Sequence, residues 1–346
     1  MSYTPDYDPN GVGQANGNLY GLPFSLEEAK VVIIPIPWDV TVSYADGCAQ
    51  GPKAILEASP QLDLFDPDIS EAWNIGLAMQ PIDEKWADRS SQLRKSSSKY
   101  IKWLEHGAPP SKATQMLQIL GDLNEKCGFL LDWVTANCRM RLQQGKLVGI
   151  LGGDHSSPLG LMTALSEQHD EFGILQIDAH MDLRDAYEGF TFSHASIMYN
   201  ALKLPAVKQL TQVGIRDYCE AEAHLAQEDP RIHVYYDRDL KRAAYRGEHW
   251  ATICDKLVSA LPQKVYISFD IDGLDPKLCP NTGTPVPGGL EFEQAMYLIE
   301  AVVRSGRTII GFDLCEVSPG KKGDWDANVG ARVLYRLANQ AWISQG

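Results

Sequence analysis

With 346 residues, 44% hydrophobic and 22% charged side chains, the chain has the composition of an ordinary soluble globular protein and can bury a sizeable core. Its formal net charge of −14 argues against nucleic acid or an anionic membrane as partner, because such a surface repels phosphates. Seven scattered cysteines, odd in number and without a C-x-x-C pair, exclude a disulfide framework and a zinc ribbon.

In chain order, residues 1–30 are rich in Gly, Asn and Pro and are expected to form an ordered arm; Met1–Asp6 lacks the basic and apolar regions of a signal peptide. Val31–Ile36 is the first apolar, β-branched run and reads as a buried strand. The loop Trp38–Gly47 follows, and the polar helical stretch from about Trp86 to Pro110 reads as a surface insertion. Helical spacing over Lys126–Gln144 leads to a strand at Leu147–Leu151, and helical spacing over Ser157–Gln168 leads to a strand at Gly173–Ile177. Further strands are expected at Gln212–Ile215, Ile232–Tyr236, Lys264–Phe269 and Thr308–Phe312, with helices at His249–Leu261, Phe292–Ser305 and Asn328–Trp342. This alternation predicts a single-domain, three-layer α/β/α fold with a mainly parallel sheet over residues 31–346. No run of 18 or more apolar residues is present, so no membrane span is expected and a cytoplasmic location is the default.

Open parallel sheets bind ligands outside the carboxyl ends of their strands. Three predicted strands end there in metal-type donors: Gly152-Gly153-Asp154-His155-Ser156, Asp178-Ala179-His180-Met181-Asp182, and Asp270-Ile271-Asp272-Gly273. In an extended segment Asp178, His180 and Asp182 point to one side, and Asp270 and Asp272 can do the same from a neighbouring strand. Four carboxylates and two imidazoles at one point repel each other unless cations separate them. The pattern therefore predicts two divalent ions, with Asp178 and Asp270 placed to bridge them. Nitrogen and oxygen donors without a thiolate suit Mn²⁺ and also Ni²⁺ or Co²⁺, and disfavour structural zinc. One such motif alone is explained by a turn or a helix cap. Three together are not.

These motifs resemble the ureohydrolase superfamily of arginases, agmatinases, guanidinobutyrases, formimidoylglutamases and guanidine hydrolases. Thr282-Gly283-Thr284-Pro285, Gly288-Gly289-Leu290 and Phe312–Pro319 resemble two further family segments. The resemblance, over roughly residues 30–340, implies that His155, Asp178, Asp182 and Asp270 hold one metal and His180, Asp178, Asp270 and Asp272 the other, either Mn²⁺ or Ni²⁺. It implies that Glu316 grips a substrate guanidinium, for which a two-pronged carboxylate pair is the right device. His194 falls where arginases and agmatinases place a proton-shuttling histidine, and Asp182 is expected to relay a proton from the activated water. The products would be urea and an amine, or ammonia from free guanidine. A homo-oligomer, trimeric or hexameric, is expected, and a hetero-oligomer is possible.

The substrate is less constrained. The loop Leu183–Phe190 departs from the arginase pattern. Arg184 either contacts substrate or pairs with Asp185 or Glu188, and the Asp185–Glu188 acids would suit the distal amine of agmatine. Thr41, Ser43 and Asp46 either hydrogen-bond a compact guanidinium or serve as turn residues. The loop Tyr44-Ala45-Asp46-Gly47 lacks the Arg-x-Gly element of typical agmatinases and, with the arm Asp6–Gly11, resembles the divergent agmatinase-like branch that includes guanidine hydrolases. The expected substrate is a small cationic guanidine: agmatine, free guanidine, or a substituted guanidine or biguanide. The alternatives are a formimidoylglutamase-type amidine hydrolase, a non-catalytic subunit of a hetero-oligomer, and a one-metal deacetylase of similar fold.

Overall fold

Strand β1 (Val31–Ile36) is aliphatic apart from Pro35 and is buried throughout. Val31 and Ile33 face one core while Val32, Ile34 and Ile36 face the other, as the two-residue period of a strand covered on both sides requires. The computed structural model describes residues 7–321 and 323–346, so Asp6 of the N-terminal arm lies outside the described residues. With β2 (Leu77–Met79), β3 (Leu147–Gly152), β4 (Phe172–Ile177), β5 (Val207–Ile215), β6 (Ile232–Tyr236), β7 (Lys264–Asp270) and β8 (Thr308–Cys315), β1 forms one sheet in the order β2-β1-β3-β8-β7-β4-β5-β6. Every named pairing is parallel, so the sheet is wholly rather than mainly parallel.

Helices cover both faces. α1 (Gly51–Ala58), α8 (Trp250–Ser259), α9 (Phe292–Arg304) and α10 (Trp325–Ile343) pack on one side, and α2 (Glu84–Glu105), α3 (Ala113–Gln143), α4 (Leu159–Ser166) and α5 (Ile197–Ala201) on the other. α6 (Glu220–Glu228) and α7 (Asp237–Tyr245) follow β5 and β6. The short elements β2, α1, α6 and α7 escape periodicity because too few residues repeat. Leu19, Tyr20 and Leu22 belong to the first core, and the Tyr20 hydroxyl donates to the Ala331 carbonyl at 2.8 Å.

The stretch expected as a surface insertion is α2, and it is not external: Trp86, Ser90, Ser97, Tyr100 and Ile101 are buried. Ser90 Oγ donates to Asp39 Oδ1 at 3.3 Å, and Arg94 Nη1 donates to the carbonyls of Val42 (2.5 Å) and Val40 (3.3 Å). α2 thereby braces the loop that follows β1. No helix among the described residues is long and apolar enough to cross a membrane.

The strand order has one consequence for function. β3, β8, β7 and β4 are consecutive in the sheet, so their carboxyl ends bring His155, Glu316, Asp270 and Asp178 to one place.

Candidate active site

The turn after β3 is possible only because it has two glycines. A Cβ on Gly153 would lie 1.8 Å from the Trp38 carbonyl oxygen, and one on Gly152 would lie 2.4 Å from Cys315 Sγ. Backbone cannot yield as a flexible side chain does, so Gly153→Ala is expected to destabilise the fold by about 3 kcal/mol or more, measurable by denaturant unfolding. After β4 the chain does not stay extended as the i, i+2, i+4 expectation assumed. Asp182 has φ of 54°, and Glu316, just past β8, has φ of 63°. A left-handed residue other than glycine costs about 1–3 kcal/mol and persists where its surroundings hold it. The Asp182 carbonyl accepts from Met198 N (3.1 Å) and Tyr199 N (3.2 Å), and Glu316 N donates to the Gly153 carbonyl (2.8 Å). Asp272 likewise sits in a tight turn, Ile271–Gly273, with its N–H on Asp270 Oδ1 at 2.8 Å.

His155 Nδ1 lies 3.1 Å from Asp178 Oδ2, 3.0 Å from Asp182 Oδ2 and 3.4 Å from Asp270 Oδ2, yet makes a hydrogen bond of acceptable geometry to none of them. Three carboxylate oxygens surrounding a buried imidazole nitrogen out of line with any hydrogen are arranged as ligands around a cation. His180 Nδ1 lies 3.1 Å from Asp272 Oδ2 and 3.6 Å from Asp178 Oδ1. Two candidate metal-binding groups result, His155/Asp178/Asp270 and Asp178/His180/Asp272. Asp178 belongs to both and offers one oxygen to each, while Asp270 belongs to the first. Burial, then Asp272 and Asp178, push the Asp270 carboxyl far above its usual range. Burial and Asp178 raise Asp182 to about 7, and burial and Asp154 raise Glu316 to about 8. The donor set carries more negative charge than it can hold alone, and two divalent cations fit it.

Above these groups opens a cavity of about 320 Å³, with His155, His180, Asp182, Asp270 and Glu316 in its lining. Glu316 is 5% exposed and accepts the His155 N–H on Oε1 at 2.9 Å. His194 also lines the cavity, with Nε2 3.4 Å from Ser43 Oγ. Burial and the imidazoles of His180 and His155 pull its pKa below the usual histidine range, so its ring rests neutral.

Of the remaining sequence-derived candidates, Thr41 and Asp46 fall outside the cavity lining and Arg184 falls within it. Thr41 is fully buried behind the wall, accepting from His194 N (3.2 Å) and donating to Asp154 Oδ2 (3.4 Å). Asp46 faces α2, 3.5 Å from Arg94 Nε. Neither lines the cavity. Arg184 does, but its partner is Glu222 at 3.5 Å rather than Asp185 or Glu188, and its guanidinium stacks 4.5 Å over Tyr187.

Residues 29–339 match the arginase family model. The chain belongs to the arginase family. It is 32% identical to an N(1)-aminopropylagmatine ureohydrolase of Thermus thermophilus, covering 92% of this chain and 93% of the relative, and 28% identical to an agmatinase of Bacillus anthracis, covering 92% and 94%. The agmatine ureohydrolase of Thermoplasma volcanium shares the fold with a TM-score of 0.70 at 24% identity, over 94% of each chain.

Sequence reasoning missed two residues that position the donors of this arginase-family chain. Asp313, in β8, is fully buried; its Oδ2 accepts from Ser268 Oγ (2.9 Å) and Tyr266 OH (2.8 Å), and its Oδ1 from Phe269 N (3.2 Å). Ser268 Oγ in turn lies 2.8 Å from His155 Nε2. This chain of acceptors keeps a proton on His155 Nε2, so that Nδ1 is the nitrogen that gives up its proton when a cation enters among the carboxylates. Asp313→Asn is expected to lower divalent-ion affinity about 10–100-fold, as read by chelator competition. A lone acid inside the apolar run Ile309–Leu314 was the available signal. The second is Arg216, whose Nη2 donates to the carbonyls of Asp272 (2.6 Å), Leu274 (3.2 Å) and Val286 (3.0 Å). It pins the Asp272 turn, and nothing local in the sequence marks that role.

Proposed function

We propose that the chain hydrolyses a guanidino C–N bond of a small guanidine, releasing urea with an amine or ammonia, at a binuclear divalent-metal centre of Mn²⁺ or Ni²⁺. The observation that carries the reading is the buried Glu316 carboxylate opening onto the same cavity as both candidate metal-binding groups. The names of the relatives, agmatinase and N(1)-aminopropylagmatine ureohydrolase, support a guanidino substrate. His155, Asp178, Asp182 and Asp270 would hold one ion and His180, Asp178, Asp270 and Asp272 the other. Two such ions, when bound, supply a water acidic enough to react near neutral pH.

The chain's own residues do the rest. Glu316 receives the planar guanidinium in a charge-assisted pair and turns its carbon toward the metal groups. Asp182, on its left-handed backbone, takes a proton at its carboxylate and passes it to the departing nitrogen. His194, neutral and at the cavity wall beside Ser43, exchanges a proton with solvent through Nε2.

Urea release is the test. The full chain, loaded separately with Mn²⁺ and Ni²⁺, is assayed on agmatine, free guanidine, 4-guanidinobutyrate, arginine and alkylguanidines. At least one is expected to yield urea, and chelation is expected to abolish it; near-normal turnover by metal-stripped protein would sink the reading. Metal content near two ions per chain supports it, and content near one favours a single-metal hydrolase.

A further inference from the structure

The second half of α2 carries positive charge that nothing around it offsets. Between residues 94 and 116 stand Arg94, Lys95, Lys99, Lys102 and Lys112 against Glu105 alone, in a chain of formal net charge −14. Arg94 is committed to the Val42 and Val40 carbonyls and faces Asp46. The four lysines are exposed, and none has a carboxylate within ion-pair distance among the described residues; the lysines that do are Lys126, Lys241, Lys256 and Lys277. Glu105 lies toward the loop after β4, where it adds to burial in raising the Glu188 carboxyl.

Lys95, Lys99 and Lys102 follow one another at i, i+4 and i+7, so they share a face of the helix and span about 10 Å along it. Like charges at that spacing repel, and no contact within the fold relieves them. This face borders a cavity of about 540 Å³ that shares no residue with the one above the metal groups. Lys95, Lys99, Lys102, Lys112, His106 and Trp103 line it, and no carboxylate does. Trp103 is half-buried; its Nε1 donates to the Pro109 carbonyl at 3.1 Å, and Tyr100 packs against it with centroids 5.8 Å apart. The ring is thus fixed beside the ammonium groups. Toward the loop after β1 a neighbouring cavity also touches Lys95, but Asp39 and Asp46 line it, and their charge bounds the cationic groove at Lys95.

We propose that this groove on α2 is an anion site, in which Lys95, Lys99, Lys102 and Lys112 receive a ligand carrying two or more phosphate groups, free or esterified. Ammonium groups on successive helical turns suit a run of phosphates, because each can donate charge-assisted hydrogen bonds to a different one. A singly charged anion would leave most of the lysines unpaired. Nucleic acid is disfavoured, because the strongly acidic remainder of the chain repels a long polyanion. A flat ring attached to the phosphates would meet Trp103. The site is independent of the function proposed above, and no bond is made or broken at it.

The test is calorimetric titration of the metal-loaded full chain with tripolyphosphate and with ATP at fixed ionic strength. Both are expected to bind saturably, and the double variant Lys99→Gln/Lys102→Gln to weaken both about tenfold or more. Lys208→Gln/Lys256→Gln, which removes the same charge from exposed positions elsewhere, should leave both within about twofold of wild type. ATP binding tighter than tripolyphosphate, with the gain lost in Trp103→Leu, supports the site with a nucleotide as its ligand; equal binding supports it with the phosphate chain alone. If neither anion saturates, the proposal is overturned. It is equally overturned if binding survives intact in Lys99→Gln/Lys102→Gln, which would place the anion at the metal centre or on the surface at large. A changed oligomeric state of that variant with anion binding unmoved would give the lysines to a contact between copies and remove the site.

Discussion

In Asp270→Asn, turnover and divalent-ion retention are expected to be lost, while the metal-stripped variant becomes more stable than metal-stripped wild type. The two halves follow from one electrostatic fact. Asp270 sits with Asp178, Asp182 and Asp272 around two imidazoles, and burial and these neighbours drive its carboxyl far above its ordinary range. Asparagine keeps the shape and removes the repulsion, a gain on the order of 2 kcal/mol for the metal-free fold at neutral pH. It also removes one anionic donor, so the ions that stabilise wild type, by about 4 kcal/mol at a thousandfold excess over their dissociation constant, no longer do so.

The pH dependence carries the same sign. Asp182 at about 7, Glu316 at about 8 and the raised Asp270 bind protons more tightly folded than unfolded. His155 and His180, whose pKa values carboxylate neighbours raise although burial opposes this, act in the same direction. His194, whose pKa is lowered by burial and its imidazole neighbours, opposes them below about pH 6.5. The raised groups are more numerous, so the folded state holds more protons and metal-free stability falls as pH rises toward 8, by about 3 kcal/mol or more. Added Mn²⁺ or Ni²⁺ should flatten that slope. Thermal unfolding with chelator and with metal, from pH 4 to 8, measures both effects; a metal-free Asp270→Asn protein less stable than wild type at pH 7.5 would contradict the account.

Glu316→Gln is expected to lower kcat/KM about 30- to 3000-fold while metal content stays at the wild-type level. Removing one partner of a buried, hydrogen-bonded charge pair costs about 2–5 kcal/mol, and every 1.4 kcal/mol is tenfold. Glu316 belongs to neither candidate metal-binding group, so the loss should appear in substrate handling alone. Glutamine still offers an oxygen to the His155 N–H, which separates the missing charge from a collapsed turn. Steady-state kinetics beside metal analysis by mass spectrometry reads the distinction; loss of metal together with activity would move Glu316 from substrate to metal site.

Much of this site was legible along the chain. The donor residues of the two metal groups lie in three short segments at the carboxyl ends of largely apolar strands, and such strands announce themselves when both faces are buried, as in Val31–Ile36. Glu316 was legible for the same reason, one residue beyond β8. The errors have physical causes. Extended geometry was assumed through Asp182, but its carbonyl, pinned by Met198 N and Tyr199 N, turns the backbone left-handed. Thr41 and Asp46 sit in the right loop, yet which way a loop residue points depends on what braces it, and here α2 does so through Ser90 and Arg94.

By itself, then, the sequence determined the donor set of the candidate site: which donors exist, that they lie at strand ends, and that their charge calls for cations. These are local properties, set by residue type and by the period of the backbone. Only the tertiary structure decided that β3, β8, β7 and β4 stand side by side, that of the two expected bridging residues Asp178 falls in both groups and Asp270 in the first, that Asp313 orients His155 through Ser268, and that Asp217 rather than Asp185 or Glu188 lines the cavity. Strand order and side-chain direction arise from contacts between residues far apart in the chain, such as Arg216 with Asp272 and Val286, and no local pattern encodes which distant partner a side chain meets.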